Sequence, residues 1–164
     1  MALPRANGNS YDVFLSFRGE DTRQTFTDHL YEALEQAGIH TFRDSDDAER
    51  GEDLKLEIES AIKASDASII VLSENYATST WCLDEISLIL DQRRDGNHFV
   101  LPLFYLVDPS DVGKHKKRFD IAANSSRRRW TVENVNRWKA ALMEVVGVIG
   151  MCLVGYTSIF FLLE

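Results

Sequence analysis

Trp81 and Glu85 stand four residues apart, a spacing that puts both on one face of a helix. An aromatic plate beside a carboxylate can stack on a flat ring while the charge stabilises a developing cation. That pairing suits cleavage of a glycosidic bond through an oxocarbenium-like centre. Much earlier in the chain, Arg18-Gly19-Glu20-Asp21 follows an apolar run. Arg18 can pair with a phosphate, and Gly19 lets a ligand approach the backbone closely. Together these residues fit a phosphorylated, charged substrate. Each also has a plainer reading. Arg18 with Glu20 and Asp21 makes a structural salt-bridge cluster, Trp81 packs in the core, and Glu85 is a solvated helix residue.

The elements that must position them read as alternating strands and helices. Tyr11–Phe17 (YDVFLSF) is apolar and β-prone and predicts a buried strand. The acidic pair after Gly19 opens a helix, as the helix dipole favours. That helix carries Phe26, Leu30, Tyr31, Leu34 and Ala37 and is stopped by Gly38. Ile39–Phe42 predicts a second, short strand. Arg43–Asp53 (RDSDDAERGED) is a long polar loop with Gly51 as its hinge, and connections in α/β units are usually shorter, which marks it for function. Leu54, Ile58, Ala61 and Ile62 define the next helix, ending near Ser65-Asp66, and Ala67–Leu72 the third strand. After the polar Ser73–Thr80 loop, Leu83, Ile86, Ile89 and Leu90 give the helix that bears Trp81 and Glu85.

Gly96-Asn97 breaks the chain, and Phe99–Tyr105 (FVLPLFY) predicts a fourth strand, although Pro102 cannot donate to a ladder. A helix starts at Pro109 or Ser110. Val112–Ser126 is mixed and basic, and Arg127-Arg128-Arg129 reads as a solvated face rather than a lipid or phosphate patch. Thr131 caps a clear helix with Val135, Trp138, Leu142, Val145 and Val146 on one side. The end predicts a short strand at Met151–Val154 and then a helix stub. The uncharged stretch Val145–Leu163 approaches membrane-span length, but its glycines, Tyr156, Thr157 and Ser158 and the lack of a basic flank argue against an anchor.

Such alternation argues for a parallel sheet covered on both faces. In the flavodoxin-like strand order 2-1-3-4-5 the switch point lies between the first and third strands, and ligands bind there at the carboxyl ends. That arrangement brings Arg18, Trp81, Glu85 and the Arg43–Asp53 loop to one mouth. The 164 residues suit a flexible leader, 1–10, and a single domain, 11–164. A net charge of -8 disfavours non-specific nucleic-acid binding. The two cysteines, Cys82 and Cys152, form no CxxC and read as reduced thiols, and no metal-ligand cluster is evident. The chain has no GxGxxG, GxxxxGK[ST] or GxSxG, so a dinucleotide oxidoreductase, a P-loop NTPase and a serine hydrolase are unsupported. MALPRANGNS lacks the apolar core of a signal peptide.

Four segments in order, YDVFLSFRGEDTR, the RGED turn, SENYATSTWCLDEI and VLPLFYLVDPSDV, resemble the TIR domain of plant intracellular immune receptors, here as a TIR-only or truncated chain. The resemblance runs from about Tyr11 to Gly150. It implies a flavodoxin-like α/β fold, with a five-stranded parallel sheet in the order 2-1-3-4-5 and helices on both faces. It also implies an NAD+ hydrolase that cleaves the nicotinamide–ribose bond, yields nucleotide signals in innate immunity and cell death, and is switched on by self-association. NAD+ is then substrate, with no cofactor and no metal. The family's catalytic glutamate falls on Glu85, and its substrate-contacting positions fall on Phe17, Arg18, Gly19, Ser79 and Trp81. The loop that a neighbouring subunit lays over the site, the BB loop, spans Ser45–Leu54 and includes Asp46, Arg50, Gly51 and Glu52. A self-association pair in the first helix falls on Asp28 and His29, Asp28 replacing the family's serine. Leu106 stands where the family has aspartate and Gly113 where it has arginine. The implied partners are further TIR domains, its own or those of other receptors, with no sequence-specific nucleic acid and no membrane. The implied location is the cytoplasm, with the nucleus as a second compartment. The alternative from the same resemblance is a non-catalytic module that pairs with full-length receptors.

Overall fold

The computed structural model describes residues 11–43, 52–126, 128–154 and 158–162. Five parallel strands form the sheet expected: β1 (Tyr11–Phe17), β2 (Thr41–Arg43), β3 (Ser65–Leu72), β4 (Phe99–Tyr105) and β5 (Gly150–Val154) lie in the order 2-1-3-4-5. The expected leader and residues 44–51, which hold Asp46, Arg50 and Gly51, lie outside the described residues. Glu52 opens the helix that follows.

Period-two alternation divides the strand side chains between two layers. Phe14, Ile70, Leu72, Val100 and Phe104 pack with α3 (Glu52–Lys63), α4 (Thr80–Arg94) and α7 (Val132–Val145) through Ile58, Ile62, Leu83, Ile86, Trp138 and Leu142. Leu15, Phe17, Ile69, Val71 and Leu103 face the opposite way, against Phe26, Leu30, Tyr31 and Leu34. Those four belong to one helical arm. It runs from α1 (Gly19–Thr22) through a π-helical turn at Arg23–Thr27 into α2 (Asp28–Gln36). The first layer is the thicker. No residue of α2 is fully buried, and Leu101, Tyr105 and Met151 on the same sheet face are only half-buried. Among the described residues, no helix of the structure is long and apolar enough to cross a membrane.

Caps set the element ends. Gly38, at φ 81°, closes α2 by donating from its N–H to Glu35 O at 3.0 Å, while Ile39 N–H reaches Leu34 O at 2.9 Å. The Glu35 carboxylate also accepts Thr41 N–H at 2.8 Å. Ile39 is thereby committed to the helix exit and the His40 N–H goes to the Asp12 carboxylate at 2.7 Å, so regular pairing of β2 starts at Thr41 rather than Ile39. β3 begins two residues before the expected Ala67, because Ser65 already pairs with Tyr11 while its hydroxyl donates to Ala61 O at 2.7 Å. Thr131 caps α7 and Asp108 caps α5 (Pro109–Gly113), with Pro at its first turn. The mixed stretch before α7 resolves into a 3₁₀ turn at Lys117–Phe119 and α6 (Ile121–Ser125).

The end of the chain differs from expectation. In place of a helix stub, β6 (Ser158–Leu162) runs antiparallel to β5, from Gly150↔Leu162 to Val154↔Ser158. The segment SIFFL is β-branched and aromatic, with no helical polar face, and a strand that returns antiparallel needs only a short connection. It also pairs an edge that β5 would otherwise present. Pro102 is accommodated because the ladder to β5 begins only at Leu103.

Two predictions follow from these layers. A Cβ on Gly150 would lie 2.6 Å from the backbone oxygen of Pro102. Gly150→Ala is therefore expected to destabilise the fold by about 1–3 kcal/mol in urea unfolding. His98, buried just before β4, donates through Nδ1 to Ser65 O at 3.1 Å and accepts at Nε2 from the Ser68 hydroxyl at 2.7 Å. Burial holds its pKa below the ordinary histidine value. The unfolded chain therefore takes up a proton there before the folded chain does. His98 adds no pH dependence above the ordinary histidine range and weakens the fold as pH falls through and below it. The stability gap between wild type and His98→Asn should narrow on acidification from pH 7.5 to 5.5, by at most about 1.4 kcal/mol per pH unit.

Candidate active site

At the carboxyl ends of β1 and β3 the chain leaves the sheet toward opposite layers: α1 and α2 to one face, α4 to the other. The crevice between them is the switch point. Asp21 braces it. Its carboxylate accepts from Ser73 Oγ at 2.6 Å, Asn75 N–H at 2.7 Å and Asn75 Nδ2 at 2.8 Å, joining the turn after β1 to the turn after β3. Asp21 was expected to serve the helix dipole; the fold also makes it a strut.

The β3–α4 connection contains a 3₁₀ turn, Tyr76–Thr78, with Tyr76 and Ala77 buried. Asn124 Nδ2 donates to Ala77 O at 3.3 Å, and Arg128 Nη1 donates to Thr78 O. Within the expected solvated run 127–129, Arg128 thus buttresses the site turn. Ser79 is the N-cap of α4, its hydroxyl oxygen accepting Cys82 N–H at 3.3 Å. A serine cap at this point sets where α4 starts, and so which way Trp81 and Glu85 project.

Glu85 is buried, with 4% of its surface exposed. It is not the solvated residue that helical periodicity allows. Ser16 Oγ, from β1, donates to its Oε2 at 2.6 Å. Tyr76 Oη lies 2.8 Å from Ser16 Oγ and donates to Cys82 O at 3.0 Å. Cys82 Sγ points to Phe17 O at 3.6 Å, a second tie between α4 and β1. Asp84, next in sequence to Glu85, turns the other way and accepts from Arg137 at 2.6 Å and from Trp138 Nε1 at 3.1 Å, clamping α4 to α7. Of two adjacent carboxylates, one is tied to α7 and the other to β1.

The other expected residues fall as follows. Trp81 is half-buried, packed against the core on one side. Arg18 precedes α1, three-quarters buried, with Nη2 3.0 Å from Glu20 Oε2. Its buried Nε has no hydrogen-bond partner among the described residues. Gly19 is buried at the first position of α1. The Phe17 ring belongs to the α2-side layer, 5.0 Å beneath the Arg23 guanidinium, so it is the Phe17 carbonyl that meets α4. On α2, Asp28 pairs with Arg43 at 2.5 Å and His29 is exposed. Ser16 and Tyr76 were absent from the sequence reading. The signal for Ser16 was a hydroxyl inside an otherwise apolar strand; Tyr76 carried none beyond an aromatic in a polar loop.

Similarity to known proteins is extensive. The TIR domain family profile matches residues 10–158. The chain is 49% identical over 149 residues to disease resistance protein RPV1 of Vitis rotundifolia, covering 91% of this chain and 10% of that protein. It is 47% identical to TMV resistance protein N of Nicotiana glutinosa, over 87% of this chain and 13% of that one. The chain therefore spans about a tenth of the length of these relatives. Among solved structures, the TIR domains of the activated Roq1 resistosome, which directly recognises the pathogen effector XopQ, align with a TM-score of 0.75 and 44% identity, covering 88% of each chain. The TIR domain of the Toll-related receptor TRR-2 of Hydra magnipapillata shares the fold, with a TM-score of 0.51 at 22% identity over 77% of this chain and 99% of that one. With the switch-point crevice in place and the profile spanning nearly the whole chain, this protein belongs to the TIR domain family and is close in sequence to plant disease resistance proteins.

Proposed function

We propose that this chain is an NAD+ hydrolase that cleaves the nicotinamide–ribose bond with Glu85 as its working carboxylate. The observation that carries the reading is a buried glutamate, bonded at 2.6 Å to Ser16, one helical turn from a half-buried tryptophan at the switch point. Nicotinamide leaves as a neutral ring once its cationic nitrogen takes the bonding electrons, so departure needs no acid. The ribose carbon left behind is oxocarbenium-like, and a carboxylate beside it lowers the barrier. Water then adds to that carbon and loses a proton, giving ADP-ribose, nicotinamide and one proton overall. Trp81 offers a face for a flat ring. Arg18, a quarter of whose side chain is exposed, suits the pyrophosphate as a cation.

In this reading the chain acts on self-association, through contacts with its own copies or with other TIR-containing receptors. The products would serve as nucleotide signals in plant innate immunity and cell death, made in the cytoplasm and the nucleus. The exposure of His29 on α2 supports a self-association surface there, while Asp28 is engaged with Arg43.

Two measurements test this. NAD+ incubated with concentrated protein should yield nicotinamide, at a rate that falls more than about 100-fold in Glu85→Ala. If both proteins are equally inactive under crowding, a pairing-only module is the better reading. His29→Ala should shift the protein concentration needed for activity upward without changing the melting temperature. An unchanged dependence removes α2 from the association surface.

A further inference from the structure

Two cavities share Arg118 as a common wall, and neither is lined by Ser16, Arg18, Trp81 or Glu85. The first, of about 210 Å³, lies where the chain leaves β4, among Leu106, Val107, Asp108, Asp111 and Lys117. The second, of about 360 Å³, is bounded by Thr78, Ala123, Asn124 and Arg128. The backbone around the first is strained. Leu106 and Lys117, at φ 55° and 54°, are two of the four left-handed non-glycine residues among those described. Strain of this kind gathers at ligand sites.

The two cavities differ in charge. The second has two arginines and no carboxylate in its lining. Each guanidinium is held at one corner and open elsewhere. Arg128 Nη1 donates to Thr78 O, and its Nε and Nη2 make no hydrogen bond among the described residues. Arg118 Nε lies 3.5 Å from Glu74 Oε1, and its two terminal nitrogens make none either. That ion pair joins two exposed side chains, so it competes weakly with an arriving anion. Asn124 ties the two turns together, its Nδ2 donating to Arg118 O at 2.9 Å and to Ala77 O at 3.3 Å. The first cavity has the opposite character. Lys117 is paired with Asp111 at 3.0 Å. Asp108 accepts Ser110 N–H at 2.8 Å through Oδ1, which leaves its other oxygen open to a donor. Leu106, 54% exposed, and Val107 add apolar surface.

We propose that the two cavities together bind a nucleoside monophosphate, at a site separate from the switch-point crevice. The phosphate lies between Arg118 and Arg128, whose planar sets of donors suit its oxygens. Ribose hydroxyls donate to Asp108, and the base rests on Leu106 and Val107. A nucleic-acid strand fits less well, because its further phosphates would pass Glu74, Asp108 and Asp111 on a chain of net charge -8. A bare phosphate leaves the first cavity unused. The site depends on neither Glu85 nor NAD+ cleavage. It does adjoin the turn that precedes α4, since Arg128 holds Thr78 O one residue before the Ser79 cap.

The test is a titration of the ¹⁵N-labelled whole chain with AMP, read by ¹H–¹⁵N NMR at about pH 7.5, where a phosphomonoester is mostly dianionic. AMP should shift the amides of Thr78, Asn124 and residues 117–119. Arg118→Ala, at an exposed position, should raise Kd by about tenfold or more. Arg128→Lys keeps the charge and the length but loses the fork, and should raise it by about threefold or more. Adenosine and inorganic phosphate should each bind at least about tenfold more weakly than AMP, and a short single-stranded DNA should not displace it. No shift at about 10 mM AMP would overturn the proposal, as would shifts confined to Arg18, Trp81 and Glu85, which place the nucleotide in the crevice instead. Two variants that bind as the wild type does would also overturn it. Phosphate alone matching AMP would reduce the site to an anion patch, and tighter binding of the DNA would make it a polyanion face; either result sinks the nucleotide assignment.

Discussion

A charged carboxylate can sit inside a protein only where donors await it, because leaving the charge unpaired costs several kcal/mol. For the buried Glu85, one such donor is Ser16, on a strand 69 residues away in sequence. A bond of 2.6 Å tolerates little slack, so the elements on either side must be held to a fraction of an ångström. β1 must lie beside β3, as the ladder from Tyr11↔Ser65 to Phe17↔Val71 ensures. α4 must start at Thr80, which Ser79 arranges as its cap. It must also keep its rotation, which Asp84 secures through Arg137 and Trp138 of α7.

The turns after β1 and β3 are held in register by polar struts. Asp21 ties the two site turns together, while Asn124 and Arg128 hold the 3₁₀ turn from outside. Hydrogen bonds to a charged acceptor are worth roughly 1.5–3 kcal/mol each and are directional, so they fix geometry as well as energy. The apolar layers differ in strength. The side built by α3, α4 and α7 contains the large buried cluster around Trp138 and Phe104, and Glu85 is anchored to that side. The α2 side is thinner, and it bears the exposed His29.

The positions that depart from the family pattern have local explanations. A Cβ on Gly113 would come within 2.9 Å of Val146 Cγ2, so α5 and the end of α7 are packed closely around the glycine, and a larger residue there needs Val146 to move. Leu106 adopts φ 55° and is 54% exposed, with its N–H bonded to Leu153 O at 3.0 Å. A left-handed leucine is costly, and the bond to β5 helps to hold it. Both lie after β4, away from the Ser16–Glu85 line, so the carboxylate's support is independent of them.

Periodicity and caps are local properties, and they are what the sequence by itself determined. The alternation of strand and helix, the two-sided burial of YDVFLSF, the Gly38 stop and the Thr131 cap need no partner distant in the chain, and all hold in the folded molecule. The shared face of Trp81 and Glu85 is of the same kind. Tertiary structure alone decided that Asp84 is held by α7 and Glu85 by β1, because Arg137 and Trp138 lie more than fifty residues on and Ser16 lies 69 residues back. It likewise recruited Ser16 and Tyr76, whose roles depend on a contact spanning 60 residues. It also turned SIFFL into a sixth strand, since a segment with no periodic polar face takes its form from the neighbour that offers it hydrogen bonds.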